Sequence, residues 1–340
     1  MVRVRAQTPT RIDLAGGTLD IWPIPHILDQ KATVNVGVTL MATAEVVSLE
    51  GEQFTLESQD QGVKVSGSFN EIIKSKELPL LALLVSAIWR HELPAVHIKT
   101  SAESPAGAGL GGSSCLGIAV AGALWRARQL LEGWRTPTDQ DLVQLVGDVE
   151  ARLIHTPTGI QDYWGGLRGR INLISYPYGR VVVDTLPPSY LPQLADELIL
   201  CYSGKSRASA INNWEIFKRL FDGDRSLLST FNAIGSCASA CAEAARNQRY
   251  DDLVKLSREE WQLRVKLWPN IETTETKRLD RAALEAGARL TRVCGAGGGG
   301  VMAVLAPSQR REQVEQALLL HGGRILPATV ASEGLNVEVL

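Results

Sequence analysis

The stretch Pro105–Gly117, "PAGAGLGGSSCLG", constrains this chain more than any other. It falls between an alternating segment, "AVHIKTSAE", and a run in which Leu116, Val120, Leu124, Ala127 and Leu131 recur at helical spacing. The chain must therefore pass from a strand into a helix through a glycine-rich turn. Such a turn lets backbone approach a polyanion closely, and the helix that follows offers free N–H groups and a positive dipole end at Ser113 and Ser114. Two nucleotide readings compete for it. Gly107, Gly109 and Gly112 spell G-x-G-x-x-G, the dinucleotide fingerprint, while the same residues read P-x-x-x-G-L-G-x-S-S, a loop suited to a triphosphate. The dinucleotide reading requires a second parallel strand and an acidic residue about 20 positions on. Glu132 has the spacing, but it ends one helix, and "TDQDLVQLVGDVEARLIH" opens another, capped by Thr138 or Asp139. No strand carries the acid to a ribose. A Walker loop is also absent, because no Gly-Lys-Ser/Thr follows the glycines. A phosphate cradle of another kind remains, or a tight strand-to-helix turn with serine caps.

The bulk composition is that of an ordinary globular chain, with 340 residues, 45% hydrophobic and 21% charged, and the length suits two domains or one large one. A formal charge of −2 gives no general basic field to recruit nucleic acid. The N-terminus has no apolar run suited to a secretory signal, and "SCLGIAVAGAL" is too short to span a bilayer. A cytoplasmic protein without nucleic-acid or membrane partners is expected. Cys115, Cys201, Cys237, Cys241 and Cys294 are odd in number and scattered, which suits reduced, buried thiols.

Up to "AVHIKTSAE" the chain reads mainly as strands, most clearly "ATVNVGVTLMATAEVVSLE", with Val34, Val36 and Val38 on one face. After the second helix come a polar turn, "TPTGIQD", and a strand, "GRINLISYP". Three prolines in "DTLPPSYLPQ" place a boundary at about residue 190, giving domains 1–190 and 191–340. The second part opens with a strand, "ELILCYS", continues in long helices, and ends as strand "ARLTRVCGA", glycine run, strand "VMAVLAP", helix, and strand "GRILPATVA". That order implies helices on one face of a small antiparallel sheet, an α+β arrangement.

Three further stretches carry candidate chemistry. "TPTRIDLAGGTLD" holds Arg11, Gly16, Gly17 and Asp20; "DVEARLIHTPTGIQDY" holds Glu150 and Asp162; "VCGAGGGGVMAVL" holds Gly295, Gly297 and Gly298. Singly, each has an ordinary use: a solvated helix carboxylate for Glu150, a turn residue for Asp162, a strand charge for Arg11, a flexible hairpin for the glycines. Together, in this order, they resemble the GHMP kinases over nearly the whole chain. Within that family, "RIDLAGGTLD", "CYSGKSRASAI" and "EEWQLRVKLWPNIET" are similar to the sugar-1-kinase branch that contains the heptose 7-phosphate kinases.

The resemblance implies an α+β fold: an N-terminal domain like ribosomal protein S5 domain 2 and a ferredoxin-like C-terminal domain. ATP would lie between them, its phosphates on Pro105, Gly107, Gly109, Leu110, Gly111, Gly112, Ser113 and Ser114. It implies Mg2+ held by Glu150 and a serine, Ser113 ahead of Ser114, since Gly112 replaces the first serine of G-L-G-S-S. Asp162 matches the catalytic Asp that accepts or orients the proton of a sugar hydroxyl. Arg11 matches the cation beside it, which would neutralise charge on the transferred phosphoryl group. Asp20, with Gly16 and Gly17, matches a sugar-binding stretch. Gly295, Gly297 and Gly298 would shape the facing wall. Lys205 and Arg207 suit a phosphate already on the substrate, or equally a solvated loop pair. The implied reaction moves the γ-phosphate of ATP to a hydroxyl, the anomeric one, of a sugar or sugar phosphate, in a monomer or homodimer. Two features depart from the heptose kinase pattern on the substrate side: Gly159-Ile160-Gln161-Asp162-Tyr163 stands for Gly-Lys-Gln-Asp-Gln, and Arg168 and Arg170 flank Gly169. A mevalonate-type isoprenoid kinase is the second reading, which "AGGTLD" and "YSGKSR" oppose. A non-catalytic sugar sensor is the third, which the presence of Asp162 and Arg11 opposes.

Overall fold

The structure, a computed structural model, describes residues 1–205 and 213–340. Its strands are β1 (Arg3–Ala15), β2 (Ala32–Ser48), β3 (Phe54–Ser58), β4 (Val63–Gly67), β5 (Val96–Ala102), β6 (Ile171–Ser175), β7 (Val182–Leu186), β8 (Leu198–Tyr202), β9 (Leu290–Val293), β10 (Val301–Leu305), β11 (Arg324–Leu326) and β12 (Asn336–Val339). Its helices are α1 (Ile24–Ile27), α2 (Phe69–Ile72), α3 (Pro79–Ile88), α4 (Gly112–Glu132), α5 (Asp139–Ile154), α6 (Gln161–Arg168), α7 (Pro192–Glu197), α8 (Asn213–Phe221), α9 (Arg225–Arg246), α10 (Tyr250–Leu267), α11 (Thr274–Glu285) and α12 (Arg311–Leu320). One sheet runs β12-β1-β2-β5-β3-β4, with β6 and β7 joined through β2; the other runs β11-β8-β10-β9. The mixed helix and sheet content is the expected α+β class.

The β1–β2 ribbon is the beam on which both halves are built. β2 pairs with β6 over Ala32–Val36 and with β5 over Ala42–Ser48, on the same edge. Its Val34, Val36 and Val38 enter one hydrophobic cluster, shared with β8 and β10, while Ala42, Ala44 and Val46 enter another, shared with α3 and α4. β1 divides the same way, with Ile12 and Leu14 in the first cluster and Val4 and Ala6 in the second. Arg11 therefore stands where the two cores meet. The β1–β2 register shifts at Pro9/Thr10 and again at Asp13/Ala15. Pro9 lacks the N–H that a regular ladder uses, and irregularities of this kind re-aim the side chains beside them.

Most expected elements are present, with Thr138 rather than Asp139 capping α5 through a bond from Asp141 N–H. Three differ. Residues expected as a polar turn running into a strand instead contain α6, with Asp162 in its first turn. Gly165 and Gly166 are poor helix formers, which hides the element from propensity. They are required by packing: a Cβ on Gly165 would lie 2.7 Å from Arg11 Cβ, and one on Gly166 would lie 3.3 Å from Cys115 Sγ. The strand expected over "GRILPATVA" stops at Leu326, before Pro327, and Val330 makes only an isolated bridge to Val38. Finally, β12 pairs with β1, so the end of the chain returns to the first sheet.

Candidate active site

A cleft of about 910 Å³ lies along the start of α4, and the whole of Pro105–Ser114 lines it. Gly111 caps α4 with φ +68°, a left-handed conformation that suits glycine, and leaves the N–H groups of the first turn free. The floor is Arg11 and Asp162. Arg11 Nε and Nη2 reach Asp162 Oδ1 at 2.8 and 2.6 Å, and Nη1 donates to the Gly109 carbonyl at 2.7 Å. Burial works against the Arg11 charge, but Asp162 and Asp13 outweigh it and hold its pKa above the usual guanidinium range. The same guanidinium thus fixes the glycine loop and the carboxylate against each other. A Cβ on Gly111 would approach Asp162 to 3.1 Å, so the loop and the carboxylate are in contact.

The two glycine runs interlock. A Cβ on Gly109 would lie 2.4 Å from the Cys294 carbonyl, and one on Gly295 would lie 2.6 Å from the Gly109 carbonyl. Val301 N–H donates to the Ala108 carbonyl at 2.8 Å. Beneath Gly295 sits a buried ionic network. Asp13 Oδ1 accepts from Gly295 N–H at 2.9 Å, and its Oδ2 accepts from Arg264 at 2.8 Å and from Arg292 at 2.9 Å. Arg264 also donates to the Gly295 carbonyl at 3.0 Å. Arg292 lies 3.1 Å from Glu260, whose other oxygen accepts from Gly16 N–H at 3.0 Å. Burial would raise Asp13, but Arg292, Arg264 and Arg11 overcome it and hold the carboxyl down at about 2. Two acids and two arginines are thus neutralised in pairs while holding both the Gly16 turn and the Gly295 loop.

Asp20 lies on the cleft wall beside Asp162, buried, accepting from Thr18 N–H at 3.0 Å and from Gln161 N–H at 2.9 Å. Burial, opposed by the Gln161 bond and reinforced by Asp162, pushes its carboxyl up to about 6. Gly159 lies opposite it, and a Cβ there would fall 2.2 Å from Asp20 Oδ2, so the carboxylate would have to shift. Glu150 reaches in from α5 beneath the start of α4. Its Oε2 accepts from Ser114 Oγ at 2.6 Å and from Tyr163 Oη at 2.8 Å. Burial raises Glu150, with Ser114, Ser113 and Tyr163 opposing. Among the described residues no basic side chain bonds it. Ser114 makes the direct bond and is buried, while Ser113 is exposed.

The structure thus brings Arg11, Asp20, Asp162, Gly295 and Pro105–Ser114 to one cleft, with Glu150 one layer below. Other expected site residues sit elsewhere. Gly16 and Gly17 form the turn that delivers Thr18 and Asp20, without lining the cleft. Gly297 and Gly298 pack against Ile271. Lys205 is exposed, its ammonium 2.6 Å from Glu275. Arg207 lies outside the described residues. Sequence reasoning missed Asp13, Glu260, Arg264, Arg292 and Tyr163. Only Tyr163 left a signal, as a departure beside Asp162.

Interlocked glycine loops, a carboxylate paired with a guanidinium at a helix start, and a serine–carboxylate pair below are the kinds of part from which phosphoryl-transfer sites are built. The family description "GHMP kinases N terminal domain" matches residues 79–169, and "GHMP kinases C terminal" matches residues 241–323, together just over half the chain. The chain belongs to the GHMP kinases. It is 26% identical to the bifunctional fucokinase/GDP-fucose pyrophosphorylase of Arabidopsis thaliana, over 94% of this chain but only 31% of that protein. The chain therefore spans about a third of that relative. It is 23% identical to the D-glycero-alpha-D-manno-heptose 7-phosphate kinase of Campylobacter jejuni, over 99% of both chains, and 23% identical to the mevalonate kinase of Thermococcus sibiricus, also over 99% of both. A crystal structure of a D-glycero-D-manno-heptose 1-phosphate kinase from Bacteroides thetaiotaomicron shares the fold, with TM-score 0.77 and 18% identity over 99% of both chains.

Proposed function

We propose that this protein transfers the γ-phosphate of ATP to a hydroxyl, the anomeric one, of a sugar or sugar phosphate. The observation that carries the reading is the Arg11–Asp162 pair set against the glycine loop, with Asp20 beside it. Asp162 keeps Oδ1 on Arg11, while its Oδ2 has no hydrogen-bond partner among the described residues and can take the acceptor's proton or orient its hydroxyl. Arg11 is held beside the developing charge without reorganisation. The acceptor end favours a polyol. It presents the carboxylates of Asp20 and Asp162 beside Arg11, whose guanidinium is already engaged by Asp162 and the Gly109 carbonyl. A polyol donates several O–H groups to such acceptors.

The donor set beneath α4 suits Mg2+, with Ser114 and Glu150, hard oxygen groups, and Ser113 next to them. Among the described residues no group of three acidic, His or Cys side chains could hold a metal by itself. That fits an ion shared with the nucleotide's own oxygens. When bound, Mg2+ neutralises charge on the phosphates. No helix among the described residues is long and apolar enough to cross a membrane, and we place the reaction in the cytoplasm, in a monomer or homodimer.

The test is ATP-dependent ADP release over free sugars, sugar phosphates and (R)-mevalonate. A sugar or sugar phosphate should be the best acceptor. Preference for (R)-mevalonate contradicts the reading.

A further inference from the structure

The cleft has an unusual charge balance for a site that must hold a polyphosphate. Five carboxylates line it, those of Asp20, Asp60, Glu77, Glu103 and Asp162, against two arginines, Arg11 and Arg324. Arg11 is spent on Asp162 and Gly109. Lys205, the nearby lysine, is spent on Glu275 and does not line the cleft. Arg324 is different. It stands on β11, an edge strand of the second sheet, pairs in register with Tyr202, and is exposed. Its guanidinium lies 5.2 Å from the centre of the Tyr202 ring. No carboxylate pairs with it among the described residues. Tyr202 in turn pairs with Val301, whose N–H bonds the Ala108 carbonyl, so the arginine is tied through two strands to the glycine loop.

A guanidinium held over an aromatic face has fewer orientations to lose on binding, and its planar fork of donors is the geometry that phosphate oxygens accept. A free guanidinium in a cleft whose charged lining is mostly acidic also supplies the local positive potential that an anionic ligand needs. We propose that Arg324 reads a phosphate group bound in the cleft, either the phosphate the acceptor already carries or a phosphate of the nucleotide. This rests on the sugar-kinase reading and deepens it. If the acceptor arm holds, a sugar phosphate and not a free sugar is the physiological class of substrate. The Tyr202 ring acts as a positioning residue for the guanidinium.

The test is steady-state kinetics of wild type, Arg324→Gln and Arg324→Lys. The probes are ATP with D-glycero-D-manno-heptose 7-phosphate, with the same heptose lacking its phosphate, and with L-fucose. Calorimetric titration of ATP without acceptor accompanies the kinetics. Loss of a charge-assisted bond corresponds to about tenfold to hundredfold in affinity. In the acceptor arm, Arg324→Gln raises KM for the heptose 7-phosphate by that factor, leaves the two unphosphorylated sugars and ATP within about twofold, and keeps kcat within about twofold. In the donor arm, KM and Kd for ATP rise by that factor whichever acceptor is present. In both arms Arg324→Lys recovers part of the loss. Values for ATP and all acceptors within about twofold of wild type in Arg324→Gln overturn the proposal while leaving the kinase reading intact. Wild-type preference for (R)-mevalonate over every sugar and sugar phosphate of the acceptor panel contradicts the sugar-kinase reading and takes this inference with it.

Discussion

Asp20 and Glu150 are both buried carboxylates, one on the cleft wall and one beneath the start of α4. Asp20 is pushed up to about 6, above its ordinary range, so folding favours its protonated form. Its contribution to stability is complete below the usual carboxylate pKa and is lost as pH rises through about 6. Sugar hydroxyls, in contrast, donate best to the ionised carboxylate. Acceptor KM should therefore fall as pH rises through about 6, and Asp20→Asn should flatten that dependence; a profile with the same inflection in the variant removes Asp20 from acceptor binding. Glu150→Gln should raise the Mg2+ concentration for half-maximal rate by about tenfold, since the site loses its charged oxygen donor. A superimposable magnesium titration would falsify its role as a ligand. Arg11, Asp20, Asp162 and the glycine loop were legible because each sits in a local motif. The Asp13 network was not, because its partners Arg264 and Arg292 lie 251 and 279 residues away in the sequence. Charge pairing over that range leaves no periodicity or spacing to read.

The glycine loops behave as one element, not two. Gly109 has φ +77°, and a side chain there would both strain the backbone and strike the Cys294 carbonyl at 2.4 Å. Gly109→Ala should lower stability by about 1–3 kcal/mol and raise KM for ATP, measured by urea denaturation and initial rates. Wild-type values for both would show that the loops do not interlock in solution. The ionic network beneath them predicts a larger effect. Asp13→Asn leaves Arg264 and Arg292 buried without their shared carboxylate, and should cost about 3–5 kcal/mol. A loss under about 1 kcal/mol in urea denaturation contradicts that arrangement. Sheet periodicity and helix starts could be read directly from the chain, including the long β2 and the start of α5, though not which of Thr138 and Asp139 caps it. α6 could not, because its glycines are there for close packing against Arg11 and Cys115. β12 also escaped, because pairing with β1 is a long-range choice that alternation alone does not reveal.

At the scale of the whole molecule, the β1–β2 ribbon runs through both hydrophobic clusters and carries Arg11 at their junction. The cleft is therefore built where the two halves of the chain share a core, and its floor, loop and facing wall come from segments far apart in sequence. The proline cluster near residue 190 precedes β8, which opens the second sheet, but β12 carries the chain back to the first. A linear reading of composition sees the outward crossing and not the return. The central claim is that this junction transfers phosphate with Asp162 in the acid–base or orienting role. Its most direct measurement follows 32P from γ-labelled ATP into the acceptor, for wild type and Asp162→Asn side by side, with ATP affinity measured on the same samples. Label should enter a sugar or sugar phosphate with wild type. With the variant the transfer rate should fall by at least about a hundredfold, with ATP affinity within about threefold. Transfer at the wild-type rate by Asp162→Asn, or no label in any sugar with wild type, contradicts that claim.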